Sequence, residues 1–137
     1  MEKKIIFGTL AGAITSFCLG GLVFGFLLKD MMAEWMTAFQ GCAHTDPPMV
    51  PILLANIVIS LLLALYLHQS SVTTFMGGLK AGGLFFLLLQ LWFDLWMFAS
   101  FTGMTNKLMA IDTISNTILG AITGGVVGWV FGKVQNN

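Results

Sequence analysis

Leu87–Ser100 reads LLLQLWFDLWMFAS, and two of its residues, Gln90 and Asp94, do not belong with the rest. The apolar run around them is too long for a core strand and points to a membrane crossing. A carboxylate at the centre of such a helix is disfavoured by at least about 2.5 kcal/mol on the mildest insertion scale. That face must therefore turn away from lipid. Lys80, Gly83, Leu87, Gln90, Asp94, Met97 and Phe101 follow one stripe by steps of three and four. Trp92 and Trp96 stand two positions either side of Asp94, about 160° around the helix from it. If the tryptophans meet lipid or a partner, the aspartate points into a bundle.

The rest of the chain supports a membrane setting. Of its 137 residues 57% are hydrophobic and only 9% charged, against about 25% charged in a soluble domain. A net charge of zero gives no attraction to nucleic acid. All basic residues are lysines, so bidentate arginine clamps are missing. Spans are expected at 5–28, 49–67, 77–101 and 108–132, each near the roughly 20 residues a bilayer core demands. The N-terminal MEKKIIFGTLAGAITSFCLGG imitates a secretory signal, but its apolar run continues through Leu28 without a small-residue cleavage site. It is expected to stay as the first span. The expected architecture is all-α: one transmembrane domain over 1–137, a polytopic four-helix bundle.

Beyond the first span, Met31, Met32, Trp35, Met36 and Phe39 recur at spacings of three and four, with Asp30, Glu34 and Gln40 between them. This pattern predicts an amphipathic helical extension, on the outer surface or folded over the bundle mouth. With both termini cytoplasmic, Lys3, Lys4, Lys80 and Lys133 lie inside and Lys29 and Lys107 outside, as the positive-inside tendency favours. The expected location is the bacterial inner membrane.

Helices in lipid are held by close packing and polar pairing rather than by exclusion of water. Span four carries Asn116, Gly120, Gly124, Gly128 and Gly132 at a step of four; span one carries Gly8, Gly12, Ser16 and Gly20; span two carries Asn56, Ser60, Ala64 and His68. Spans one and four, both with glycine stripes, are the expected partners. By depth, Asn56, Asp94 and Asn116 each sit about 11 Å from the outer ends. The expectation is one polar layer of Asn56, Gln90, Asp94 and Asn116, with Ser60 a turn deeper and Asp112 nearer the mouth. Such a layer either fixes helix register or binds a proton, cation or small polar solute.

Other chemistry finds little footing. CAHTD places Cys42, His44 and Asp46 in an outer loop, but no second cluster completes a tetrahedral metal site. No Cys-x-x-Cys, phosphate-binding loop or nucleophile elbow occurs. Neither enzymatic activity, a metal nor a cofactor is expected.

The glycine-bearing first span running into an aromatic amphipathic stretch, GGLVFGFLLKDMMAEW, and the acid-headed, glycine-rich last span, AIDTISNTILGAITGGVVGW, resemble a family of uncharacterised bacterial four-span membrane proteins. That resemblance implies a fold and no activity. The expected role is a small structural or accessory membrane protein, self-associating or bound to a membrane-protein partner. The alternatives are a minimal transporter or channel, or a lipid- or quinone-binding module.

Overall fold

The computed structural model describes residues 3–41, 44 and 48–135. Helix α1 (Lys3–Leu22) continues as a π-helical turn (Val23–Leu27) and is followed by α2 (Lys29–Ala38), α3 (Met49–Gln69), α4 (Phe75–Ser100) and α5 (Asn106–Gln135). Four segments, Lys3–Leu27, Met49–Gln69, Phe75–Ser100 and Asn106–Val134, are long and apolar enough to cross a membrane. The chain is a multi-pass helical membrane protein. That setting explains why Phe26, Ile14, Val58 and Trp92 are each mostly exposed in the protein alone: lipid, not water, covers them.

Local chemistry sets the ends. Pro48 precedes α3 in an extended conformation. Pro51 then falls in the first turn, where a missing N–H costs nothing. Ser71, at φ 54°, breaks the chain after α3, and the Thr74 hydroxyl accepts from the Gly77 N–H at 3.1 Å to start α4. The short connections 70–74 and 101–105 make α3–α4 and α4–α5 antiparallel neighbours.

At the other end of the bundle, Leu28 N–H reaches the Val23 carbonyl at 2.7 Å, five residues back, and the chain turns there into α2. The amphipathic segment folds over the mouth of the bundle. Met31, Trp35 and Phe39 pack on Met97, Met104 and Leu108, and Phe39 meets Phe101 edge to face at 5.6 Å. Lys107 donates to Glu34 at 3.1 Å. Both side chains are largely exposed, so that ion pair aligns α2 and contributes at most about 1 kcal/mol.

The closest contact joins α4 to α5, and it is made of backbone. A Cβ placed on Gly82 would lie 2.8 Å from the Cα of Gly124, and one on Gly128 would lie 3.2 Å from the Cα of Gly78. Gly132 lies against the Thr73 carbonyl and Gly120 against the Phe86 side chain. Spans one and four do pack on each other, as expected, but their glycine stripes do not meet. The stripe of α5 faces α4, because α4 brings its own bare positions, Gly78 and Gly82, to the same seam. On α1, Gly8 receives the Phe131 ring and Gly12 receives Val127 at 3.1 Å and Ser60 at 3.2 Å. Gly20, expected to pack a helix, has nothing within 4 Å of its side-chain position.

At the end carrying both termini the bundle is filled. Ile5, Leu63, Ala64, Leu67, Val127 and Phe131 form one buried cluster, and Tyr66 of α3 stacks on Phe85 of α4 at 5.2 Å. Phe131→Ala empties the seat formed by Gly8 and its neighbours. The expected loss is near the lower end of the roughly 3–5 kcal/mol typical of buried phenylalanine, since lipid replaces water as the reference. Thermal melting in detergent measures it.

Candidate functional site

Helix α1 packs on both α3 and α5, and α5 packs on α4; at the terminal end the four helices are held together by that apolar cluster. Toward the α2 end they separate. Between them lies a cleft of about 920 Å³, bounded by α1, α3, α4 and α5 and overhung by α2. Its lining includes the apolar Phe17, Phe24, Ile59, Phe86 and Leu119 and the polar or charged Ser16, Lys29, Asn56, Gln90, Asp112, Asn116 and Thr123. Gly20, Gly21 and Gly25 form part of the α1 side, and no atom lies within 4 Å of where their side chains would begin. Those glycines hold the cleft open rather than seating a helix.

The polar groups of α4 and α5 form one network. Gln90 Nε2 donates to Asp94 Oδ1 at 2.9 Å and to Asp112 Oδ2 at 2.7 Å, bridging two carboxyl groups. Thr113 Oγ1 donates to Asp94 Oδ2 at 2.6 Å. Asn116 Nδ2 donates to the Asp112 carbonyl at 3.0 Å and to its Oδ1 at 2.9 Å. Asp94 is 0% exposed, whereas Trp92 on the opposite face is 67% exposed. Among the described residues neither carboxyl group has a cation at ion-pair distance. Asp112 also lines a second, small cavity of about 30 Å³ beneath α2, with Met31, Met32, Trp35 and Leu108.

The expected single layer is thus divided. Gln90, Asp94, Asp112 and Asn116 are hydrogen-bonded together. Asn56 lies across the cleft on α3, where its Oδ1 accepts from Ser16 Oγ at 2.8 Å and its Nδ2 donates to the Ile52 carbonyl at 2.8 Å. Ser60 is buried deeper beside Gly12, with no hydrogen-bond partner for its hydroxyl. Helix α3 packs on α1, so its amide finds the α1 serine rather than the α4–α5 network.

Sequence reasoning did not single out Thr113 or Thr123. Thr113 follows Asp112 directly, and a helical threonine ordinarily bonds its own backbone, so nothing marked it as a carboxyl partner. Thr123 lines the cleft, is 1% exposed, and its hydroxyl has no partner. Cys42 and Asp46 of CAHTD lie outside the described residues. Among the described residues no three His, Cys, Asp or Glu side chains gather as a metal would need.

The arrangement can hold a molecule with an apolar body and a hydrogen-bonding end; nothing in it activates a nucleophile. No family model matches the chain, nor does any curated protein or solved structure.

Proposed function

We propose that this chain is a small membrane-embedded binding module that takes an amphipathic molecule into the cleft among its four spanning helices. The observation that carries this reading is the cleft itself: about 920 Å³, lined by apolar and aromatic side chains together with amide- and acid-bearing ones. Volumes of about 300–1,000 Å³ with a few convergent polar groups characterise small-molecule sites. The location supports it too, because polar side chains in a membrane are costly unless they serve binding or packing. The glycine stripe of α5 is engaged within the chain, against α4, and Gly8 and Gly12 of α1 lie against side chains of α5 and α3. We place the protein in the bacterial inner membrane with both termini cytoplasmic, on the strength of Lys3, Lys4, Lys80 and Lys133 at one end.

Filling the cleft tests the proposal. Gly20→Phe and Gly21→Phe put rings where the side-chain positions are open, and both raise helix propensity. Each variant is expected to keep the melting temperature of the parent and to lose at least tenfold in retained lipid or added amphiphile, read by native mass spectrometry. Unchanged occupancy in a folded variant rejects the cleft as the binding site.

A further inference from the structure

We infer that the polar end of the cleft's ligand is a protonated amine and that it docks on Asp112, an assignment that rests on the binding reading above. Hydrogen-bonding capacity along the wall is lopsided. Both hydrogens of Gln90 Nε2 are engaged by Asp94 and Asp112, and both of Asn116 Nδ2 by Asp112. The Ser16 hydroxyl is turned to Asn56 Oδ1, and one Asn56 Nδ2 hydrogen goes to Ile52. What the α4–α5 wall leaves open is acceptor capacity: the amide oxygens of Gln90 and Asn116, and the remaining lone pairs of Asp112. A ligand offering N–H groups satisfies that wall; one offering only acceptors does not.

Charge selects in the same direction. Asp94 and Asp112 share the Gln90 amide with no cation at ion-pair distance among the described residues. Lys107 is bound to Glu34 at 3.1 Å, and Lys29 stands exposed on the α2 overhang. A carboxylate or phosphate ligand at Asp112 would meet like charge when that group is ionised, with Lys29 the cation on the same cleft lining. An ammonium group donates to the carboxyl group and favours its ionised form, and such a charge-assisted hydrogen bond is stronger in a low-dielectric site than in water. Trp35, beside Asp112 in the small cavity and on the cleft wall, offers an aromatic face to the same cation.

Thr123, 1% exposed, marks the deep end of the cleft lining. Eleven residues separate it from Asp112, about 16 Å by helical rise. Between these points run Phe86, Leu89 and Leu119, a wall suited to an alkyl tail. The ligand class is therefore a long-chain primary amine, whether a single-chain amine or the ammonium head of an aminophospholipid.

Three twelve-carbon probes separate head chemistry from tail burial. Dodecylamine, dodecanol and dodecanoate are titrated against the full chain in phosphatidylcholine nanodiscs, with tryptophan fluorescence as readout. Dodecylamine is expected to bind at least tenfold more tightly than dodecanol, with dodecanoate weakest. Asp112→Asn is expected to lower dodecylamine to the dodecanol level while leaving dodecanol unchanged. The wild-type ratio stands as a test even where that variant fails to fold. In a second arm, native mass spectrometry from mixed phosphatidylethanolamine and phosphatidylglycerol identifies the source. Selective retention of phosphatidylethanolamine assigns it to the bilayer, and equal retention beside dodecylamine selectivity assigns it to a single-chain amine. Equal binding of all three probes overturns the amine assignment and leaves the cleft as a site. Binding of none of the probes and no retained lipid overturns the cleft reading as well.

Discussion

Gly124→Leu will leave no folded bundle. At this position a side chain would begin against the Gly78 carbonyl and 2.8 Å from the Cα of Gly82. Overpacked cores usually yield by shifting side chains, at about 1–3 kcal/mol. Here every neighbour within reach is backbone, so the only relief is to push α4 and α5 apart along the whole seam. That separation also opens the contacts at Gly78, Gly82, Gly120 and Gly128 and strains the Gln90–Asp112 bridge. The expected loss exceeds about 5 kcal/mol, comparable with the entire stability of many domains. Size-exclusion chromatography and thermal melting in detergent read the outcome: aggregation, or a melt lowered by tens of degrees. Gly20→Leu is the control. Nothing lies within 4 Å of its side-chain position, and leucine is the better helix former by roughly 0.8–1 kcal/mol. It should melt at or slightly above the parent. A Gly124→Leu protein that melts like the parent would mean that the two helices do not meet at these glycines.

The contrast between those two glycines marks how far the sequence could be read. Apolar runs of about 20 residues announce membrane helices whatever their neighbours do, so the four crossings and the amphipathic segment with Trp35 were legible. Partnership was legible only in part: α1 does pack on α5, but the seam between α4 and α5 was not foreseen. The stripes of α1 and α5 look alike as text, while Gly78 and Gly82 sit in GGLKAGG, which reads as the opening of a span rather than as a seam. Only the three-dimensional pairing shows that Gly8 and Gly12 accept side chains, that Gly120, Gly124 and Gly128 accept backbone or a ring, and that Gly20 accepts nothing. The candidate site shows the same limit. Helical rise gave Asn56, Asp94 and Asn116 one expected depth from each helix taken alone, because depth depends on counting. Rotation depends on partners, and it sent Asn56 to Ser16 across the cleft. The π-helical turn at Val23–Leu27 leaves no compositional mark at all, since one extra residue in a turn changes the hydrogen-bond register and not the residue types.

Asp94→Leu is the second substitution expected to have a large effect, and its cost should come from what is left behind. The Asp94 carboxyl group accepts from Gln90 Nε2 at 2.9 Å and from Thr113 Oγ1 at 2.6 Å, and the residue is 0% exposed. Leucine removes both acceptors at once. Each stranded buried donor costs about 1–3 kcal/mol, so the expected loss is about 2–6 kcal/mol. Asp94→Asn keeps one acceptor oxygen and the shape, and should lose less than half as much. The double variant Asp94→Leu, Thr113→Val removes the stranded hydroxyl as well as the carboxyl group. Replacing both sides of a buried polar pair by apolar groups is often close to neutral, so it should recover at least the Thr113 share, about 1–3 kcal/mol. Gln90 then still holds Asp112 at the cleft wall. Melting of the three variants in one detergent decides the matter, with Asn above the double variant and the double variant above Leu. If Asp94→Leu melts with the parent, the carboxyl group holds neither helix to the other. If the double variant melts below the single leucine, the threonine serves something other than Asp94, and the α4–α5 network has to be redrawn around Gln90 and Asp112 alone.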